Sequence, residues 1–222
     1  MGKVKFGVIG LKGIGRAHIN AITSIENAEL AAVADINEEV GKAVSSRHKV
    51  EWYKDYVEML EKADIEAVSV CTPHFLHYPM AMKCLEYGKH VLLEKPMAIT
   101  VREADRIIEK SEESGLKVGV VFQHRLSPTS QKAKKIIEEK LKPLYRICME
   151  ACFFRSQAYY NSDPWRGKWA TEGGGVLINQ AIHHIDLLQW LVGKPARLQG
   201  QIGTLLHNIE VEDVAEATIT FE

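Results

Sequence analysis

From Val4 to Val121 short apolar runs alternate with longer stretches of helical period, and that alternation admits few folds. Strands written as near-continuous apolar runs, each followed by an amphipathic helix, belong to βαβ units whose parallel sheet is covered on both faces. Five strands are expected, at Val4 to Ile9, Leu30 to Ala34, Ala67 to Cys71, His90 to Leu93 and Lys117 to Val121. Helices are expected at Ile14 to Ile25, Glu38 to Arg47, Tyr56 to Glu61, Tyr78 to Glu86 and Val101 to Ser114. Thr100 and Glu103 have capping-box spacing at the start of the last helix, and Gly115 suits its left-handed end.

The texture changes after Gln123. Ile147, Met149, Ala151 and Phe153 alternate with Arg146, Cys148, Glu150 and Cys152, which predicts a half-buried antiparallel strand over 144–154. Ala215, Ala217, Ile219 and Phe221 alternate with Glu216, Thr218, Thr220 and Glu222 in the same way. The expected organisation is therefore an α/β domain over 1–122 and an α+β domain with a largely antiparallel sheet over 123–222, the second incomplete. A chain stopping inside a strand leaves an open edge, which predicts either a missing segment or a covering partner.

Composition narrows the ligand classes. Lys and Arg number 28 against 29 Asp and Glu, so no strong field draws the chain to nucleic acid or anionic lipid, and a small molecule is the expected partner. Cys71, Cys84, Cys148 and Cys152 are scattered without a CxxC pair, which points to a reducing, cytoplasmic setting and away from a structural zinc or a disulfide framework. No apolar run is long enough to cross a bilayer.

The first strand runs into Gly10-Leu11-Lys12-Gly13-Ile14-Gly15 and then a helix. Such a turn leaves backbone N–H groups free for phosphate, and the helix dipole favours negative charge there, so this is a candidate pyrophosphate seat. Against G-x-G-x-x-G, Gly10 and Gly15 fit while Lys12 replaces the middle glycine; Gly13 beside it relieves crowding, and an outward lysine adds a cation. Asp35, twenty residues beyond Gly15, ends the second strand where a carboxylate receives ribose hydroxyls. Asn37 can cap the following helix and so leaves Asp35 available. Together these features predict a Rossmann-type dinucleotide domain, and the Asp35 charge favours NAD over NADP.

Two further stretches resemble a known family. Cys71-Thr72-Pro73-His74-Phe75-Leu76-His77 with Gly88 through Glu94-Lys95-Pro96, and Gly173-Gly174-Gly175 through Asn179, His183, His184 and Asp186, are similar to the Gfo/Idh/MocA oxidoreductases. Asn179 stands where many members have aspartate and Ala181 where many have glycine. The resemblance covers essentially the whole chain, which is shorter than the family's usual length. It implies that Lys95 is catalytic, reaching a substrate hydroxyl and the nicotinamide edge, and that Thr72, Pro73 and Glu94 line the cofactor cleft, with His77 a further candidate near the nicotinamide.

On a single α-helical phase, Asn179, His183 and Asp186 share a face and His184 points away, which makes His183 the candidate base and Asn179 its orienting neighbour. Helix phase also puts a third metal ligand on the wrong side, so no metal is expected. Arg125 and the group Tyr160, Trp165, Arg166, Lys168 and Trp169 supply cations and rings suited to a polyhydroxylated or anionic ligand. The expected activity is NAD-dependent hydride transfer at a hydroxyl carbon of a sugar, cyclitol or nucleotide sugar. Asn179 and His183, preceded by Trp165-Arg166-Gly167, look more like the family's nucleotide-amino-sugar 3-dehydrogenases than its inositol dehydrogenases, which usually carry aspartate at the first position. An inositol dehydrogenase, a sugar reductase and a non-catalytic dinucleotide-binding regulator remain as alternatives, and a homo-oligomer is expected.

Overall fold

The computed structural model describes residues 2–141 and 143–222. It divides into two compact units, Met1–Val121 and Phe122–Glu222.

The first unit alternates strand and helix: β1 Val4–Ile9, α1 Ile14–Ser24, β2 Ala28–Ala34, α2 Glu38–His48, β3 Glu51–Tyr53, α3 Tyr56–Lys62, β4 Ala67–Val70, α4 His74–Glu86, β5 His90–Leu93, α5 Val101–Ser114 and β6 Val118–Val120. The six strands lie parallel in the order β3-β2-β1-β4-β5-β6, the doubly wound arrangement in which strand order reverses between β1 and β4. Val8, Val33, Val68, Val70 and Leu93 are fully buried in this sheet, and one apolar cluster covers each face, as the continuous apolar runs require. β3 escaped the sequence reading because its three residues are too few to show a period. α4 starts at His74 rather than Tyr78: Pro73 is its N-cap residue, and Pro79 lies inside the helix, one residue beyond the expected start.

The second unit contains α6 Pro128–Lys140, α7 Gln157–Asn161, α8 Trp169–Glu172, a π-helical segment Val176–Ala181 running into α9 Ile182–Val192, and an antiparallel hairpin of β7 Pro195–Gly203 with β8 Val214–Phe221. β8 meets the expected strand, and β7, which was not anticipated, supplies its ladder, with Leu198 opposite Ile219 and Ile202 opposite Ala215. The strand expected over 144–154 is not formed. That segment is irregular, with Ile147, Met149, Phe153 and Phe154 all exposed, because alternation makes a strand only where a neighbour completes the hydrogen-bond ladder, and no described residue does so. Among the described residues no helix is long and apolar enough to cross a membrane.

Candidate active site

In the glycine-rich turn, close packing explains the residue types. A Cβ on Gly10, whose φ is +84°, would lie 2.6 Å from the Cys71 carbonyl oxygen, and a Cβ on Gly15 would lie 1.9 Å from the Gly10 carbonyl oxygen. Glycine at both positions lets β1 enter α1 tightly. Gly13 precedes α1 without any side-chain cap, so the first N–H groups of the helix keep their donor capacity, and Lys12, Gly13 and Ile14 are exposed around them. Asp35, just beyond β2, accepts the Leu11 N–H at Oδ2 and the Asn37 N–H at Oδ1, both at 2.8 Å. Each oxygen keeps acceptor capacity for a further donor, and Asn37 caps α2 through Val40. Uncapped helix donors, a turn that only glycine can make and a carboxylate with spare lone pairs together fit a dinucleotide.

Thr72 and Pro73 follow β4, and Thr72 Oγ1 lies 3.5 Å from Met80 Sδ. Lys95 lies two residues beyond β5, half-buried, joined to Pro96 by a cis peptide bond. Glu94 and His77, expected respectively to line the cofactor cleft and to lie near the nicotinamide, are both buried. Glu94 is buried, with Oε1 2.9 Å from His18 Nε2 and Oε2 accepting the Lys95 N–H at 3.1 Å. His77 is fully buried, with Nδ1 2.6 Å from the Pro96 carbonyl and Nε2 2.8 Å from the Thr72 carbonyl. Its burial lowers the imidazole pKa, against the pull of those two carbonyls. Both side chains therefore hold backbone: His77 the Thr72 and Pro96 carbonyls, Glu94 the Lys95 N–H. Nearby Cys71 is inert, its thiol pushed up to about 12 by burial.

In the second unit the single-phase helix reading fails at Asn179, which lies in the π-helical segment. Its amide donates to the buried Glu172 carboxylate and, at 3.2 Å, to the Tyr159 hydroxyl. The same hydroxyl receives Arg166 Nη1 at 2.6 Å and Gln180 Nε2 at 3.2 Å. Asp186 receives a two-pronged pair from Arg125, which raises the Arg125 pKa. Arg125, expected to meet substrate, thus has two of its donors committed within the unit. His183 stacks on His124 with ring centres 4.8 Å apart, and Phe122 meets its edge at 6.1 Å. His184 does not point away from this group: it meets His124 edge-on at 5.8 Å and Phe153 at 5.4 Å.

Arg166 is held between rings, 4.3 Å from the Tyr159 centre and 4.4 Å from the Trp165 centre. With Gly167 and Lys168 it lines a shallow cavity of about 570 Å³ that Asp163, Asn208 and Glu210 also border. Tyr160 is buried against His207 and serves packing, whereas Lys168 and Trp169 are exposed. Glycine is required at Gly175 by contact, since a Cβ there would lie 1.9 Å from the Glu212 carbonyl oxygen. The Glu212 carboxylate, itself buried, caps this turn by accepting the Gly175 and Leu177 N–H groups at 2.9 and 3.0 Å.

Sequence reasoning passed over His18, Ser69, His124, Tyr159, Glu172 and Glu212. Two left a signal: Ser69 is the only polar residue of the strand Ala-Val-Ser-Val, and His18 shares the apolar face of α1 with Ile19 and Ile22. Buried polar groups imply partners.

Residues 4–122 match the oxidoreductase family with the NAD-binding Rossmann fold, and residues 130–222 match the Gfo/Idh/MocA C-terminal domain. The chain belongs to the Gfo/Idh/MocA oxidoreductase family. Among curated members it is 30% identical to scyllo-inositol 2-dehydrogenase (NAD(+)) of Bacillus subtilis (strain 168), over 96% of this chain and 61% of that protein. Among solved members, WlbA dehydrogenase from Bordetella pertussis, in complex with NADH and UDP-GlcNAcA, superimposes with a TM-score of 0.96 at 34% identity, over 100% of this chain and 66% of that one. Levoglucosan dehydrogenase in complex with NADH gives 0.84 at 25% identity, over 99% and 64%. The chain spans about three fifths of the length of the curated Gfo/Idh/MocA relatives it matches.

Proposed function

We propose that the protein is an NAD-dependent dehydrogenase that oxidises a hydroxyl of a nucleotide-linked amino sugar, the 3-hydroxyl by the resemblance of its Asn179 and His183 motif to the family's nucleotide-amino-sugar 3-dehydrogenases. NAD supplies the hydride acceptor, and the chain binds, orients and manages the proton. Backbone donors at the start of α1 receive the pyrophosphate, and Asp35 receives the ribose hydroxyls. Lys95 hydrogen-bonds the reacting hydroxyl, and His183 takes its proton as the carbon gives up hydride. Asn179, tied to Glu172 and Tyr159, offers an uncharged group to the sugar.

The observation that carries the substrate class is the Trp165–Arg166–Tyr159 stack, a guanidinium held rigidly between rings. A fixed cation suits a diphosphate or a uronate carboxylate, and a neutral cyclitol has no charge to offer it. The likeness to a dehydrogenase solved with UDP-GlcNAcA supports the same class. Identity to an inositol dehydrogenase supports the second reading, a free polyol.

Nicotinamide reduction followed at 340 nm, with UDP-linked N-acetylhexosamines and their uronates set against free inositols and glucose, separates the two. Turnover confined to the free polyols refutes the proposal, and no turnover on any of them favours a binding regulator. We also read the protein as a homo-oligomer, because Leu198 and Ile202 leave one face of the β7–β8 hairpin apolar and exposed. Light scattering that shows only monomer at high concentration refutes it. A cytoplasmic setting accompanies this reading, as all four cysteines are free.

A further inference from the structure

Beneath the first unit's candidate site runs one buried polar chain. Ser69 on β4 is fully buried, and His18 on α1 and Glu94 after β5 are nearly so. Ser69 Oγ lies 2.5 Å from His18 Nδ1, His18 Nε2 lies 2.9 Å from Glu94 Oε1, and Glu94 Oε2 accepts the backbone N–H of Lys95 at 3.1 Å. An ionised carboxylate only accepts, so His18 Nε2 carries the proton and Nδ1 is left to accept from the Ser69 hydroxyl.

Packing alone does not explain why polar groups occupy this place. Three apolar side chains of similar volume would fill the space between helix and sheet without any desolvation cost. What the chain connects does explain it. Ser69 anchors one end to β4, the middle member His18 stands on α1, whose first turn is the proposed pyrophosphate seat, and the other end holds the peptide N–H of Lys95. His18 lies one turn beyond Ile14, so a shift of that first turn moves its imidazole and, with it, the Glu94 carboxylate.

We infer that His18 and Glu94 are positioning residues that couple occupation of the pyrophosphate seat on α1 to the placement of Lys95. The inference rests on the proposed catalytic role of Lys95 and adds to it a mechanical link with the cofactor. Nothing is transferred along the chain; the hydrogen bonds fix where the Lys95 backbone sits.

The test reads the exchange rate of the Lys95 backbone amide by NMR with and without NADH, beside kcat and KM. In the unaltered protein NADH is expected to slow this exchange roughly tenfold, and in His18→Ala or Glu94→Ala by less than about twofold. kcat should fall on the order of tenfold in both, with KM for NAD changed by less than about threefold. His18→Gln, whose amide can donate to Glu94 and accept from Ser69, should restore most of both effects. If an alanine variant fails to fold, Glu94→Met fills a similar volume and accepts from neither the His18 ring nor the Lys95 N–H, so it must lose the slowing too.

Equal slowing by NADH in His18→Ala and the unaltered protein overturns the inference. So does a His18→Gln variant as impaired as His18→Ala at unchanged thermal stability. Lys95→Ala separates the two layers: turnover retained in that variant sinks the catalytic role of Lys95, while its residue-95 amide must still respond to NADH if the coupling is real.

Discussion

Replacing Asp35 by asparagine changes almost nothing in volume and everything in hydrogen-bond polarity. The carboxylate accepts Leu11 N–H with one oxygen and Asn37 N–H with the other, each at 2.8 Å. Whichever way an amide is turned, its NH2 faces one of those donors, so one charge-assisted bond is lost inside the turn and another at the ribose. A hydrogen bond to a charged group is worth about 1.5 to 3 kcal/mol, so NADH affinity should fall roughly ten- to hundredfold. NADPH should respond differently. Its 2′-phosphate beside the Asp35 carboxylate costs on the order of 1 to 4 kcal/mol at a separation near 4 Å, a penalty the asparagine removes. The unaltered protein should therefore prefer NADH by tenfold or more, and Asp35→Asn should shrink that preference to within about threefold. The Trp52 indole donates to the Asp35 carbonyl at 3.1 Å, so quenching of tryptophan fluorescence by each reduced cofactor reads both affinities beside the altered residue. NADPH binding as tightly as NADH to the unaltered protein refutes the role given to Asp35, and so does Asp35→Asn holding NADH within twofold of the original affinity.

Lys95→Ala should lower turnover by about 10² to 10⁴ with cofactor affinity little changed, as expected for loss of a group acting on the reacting hydroxyl; steady-state kinetics with a separate NADH titration checks it. Gly15→Ala should abolish NADH binding and lower thermal stability together, because its methyl would overlap the Gly10 carbonyl. Arg125→Ala removes the two-pronged partner of the Asp186 carboxylate; because the Arg125 side chain is 40% exposed and water reaches the pair, it should cost about 1 to 2 kcal/mol in denaturant unfolding, and less for Arg125→Lys. Asp213 carries a pH signature. Burial pushes its carboxyl up, but the N–H groups of Leu205, Leu206 and His207 with the His207 ring outweigh that and hold it well below the ordinary value of 3.8. The stability it contributes is therefore present above that ordinary value and is lost as the pH falls through the folded-state pKa. Asp213→Asn should cost about 2 to 4 kcal/mol near neutrality and remove that acid-side loss, as read in urea titrations at pH 7 and pH 3.

How much of this was legible in the sequence differs between the two units. In the first, β1, β5 and α5 fall at the expected residues because a doubly wound sheet buries each strand on both faces, so apolar runs and helix signals report local structure directly. The glycine turn and Asp35 were readable for the same reason: a fixed spacing serves a fixed geometry. His77 and Glu94 are buried, in α4 and just after β5, and their burial was not readable, since sequence gives position along the chain and not the depth of a side chain. The second unit resisted more. Residues 144–154 alternate like a strand, yet strand formation depends on a neighbour supplied from elsewhere. Asn179 was placed by a 3.6-residue period that the π-helical segment breaks, and Glu172, which binds it, carries no motif of its own.

Glu212 has a consequence for the order in which the chain becomes structured. Helices of the first unit are capped from next door, α2 by Asn37, α3 by Asp55 and α5 by Thr100, so each can close as soon as it leaves the ribosome. The turn that opens into the His183 helix takes its cap from a residue 37 positions later than Gly175. During synthesis the donors at Gly175 and Leu177 must wait for Glu212 to emerge, and only then can the segment bearing Asn179 and His183 take its final form. A nascent chain halted before Glu212 should hold a protease-resistant first unit beside a cleavable stretch around 173–192, so the candidate substrate-handling residues take shape only as the final strand, β8, is about to emerge.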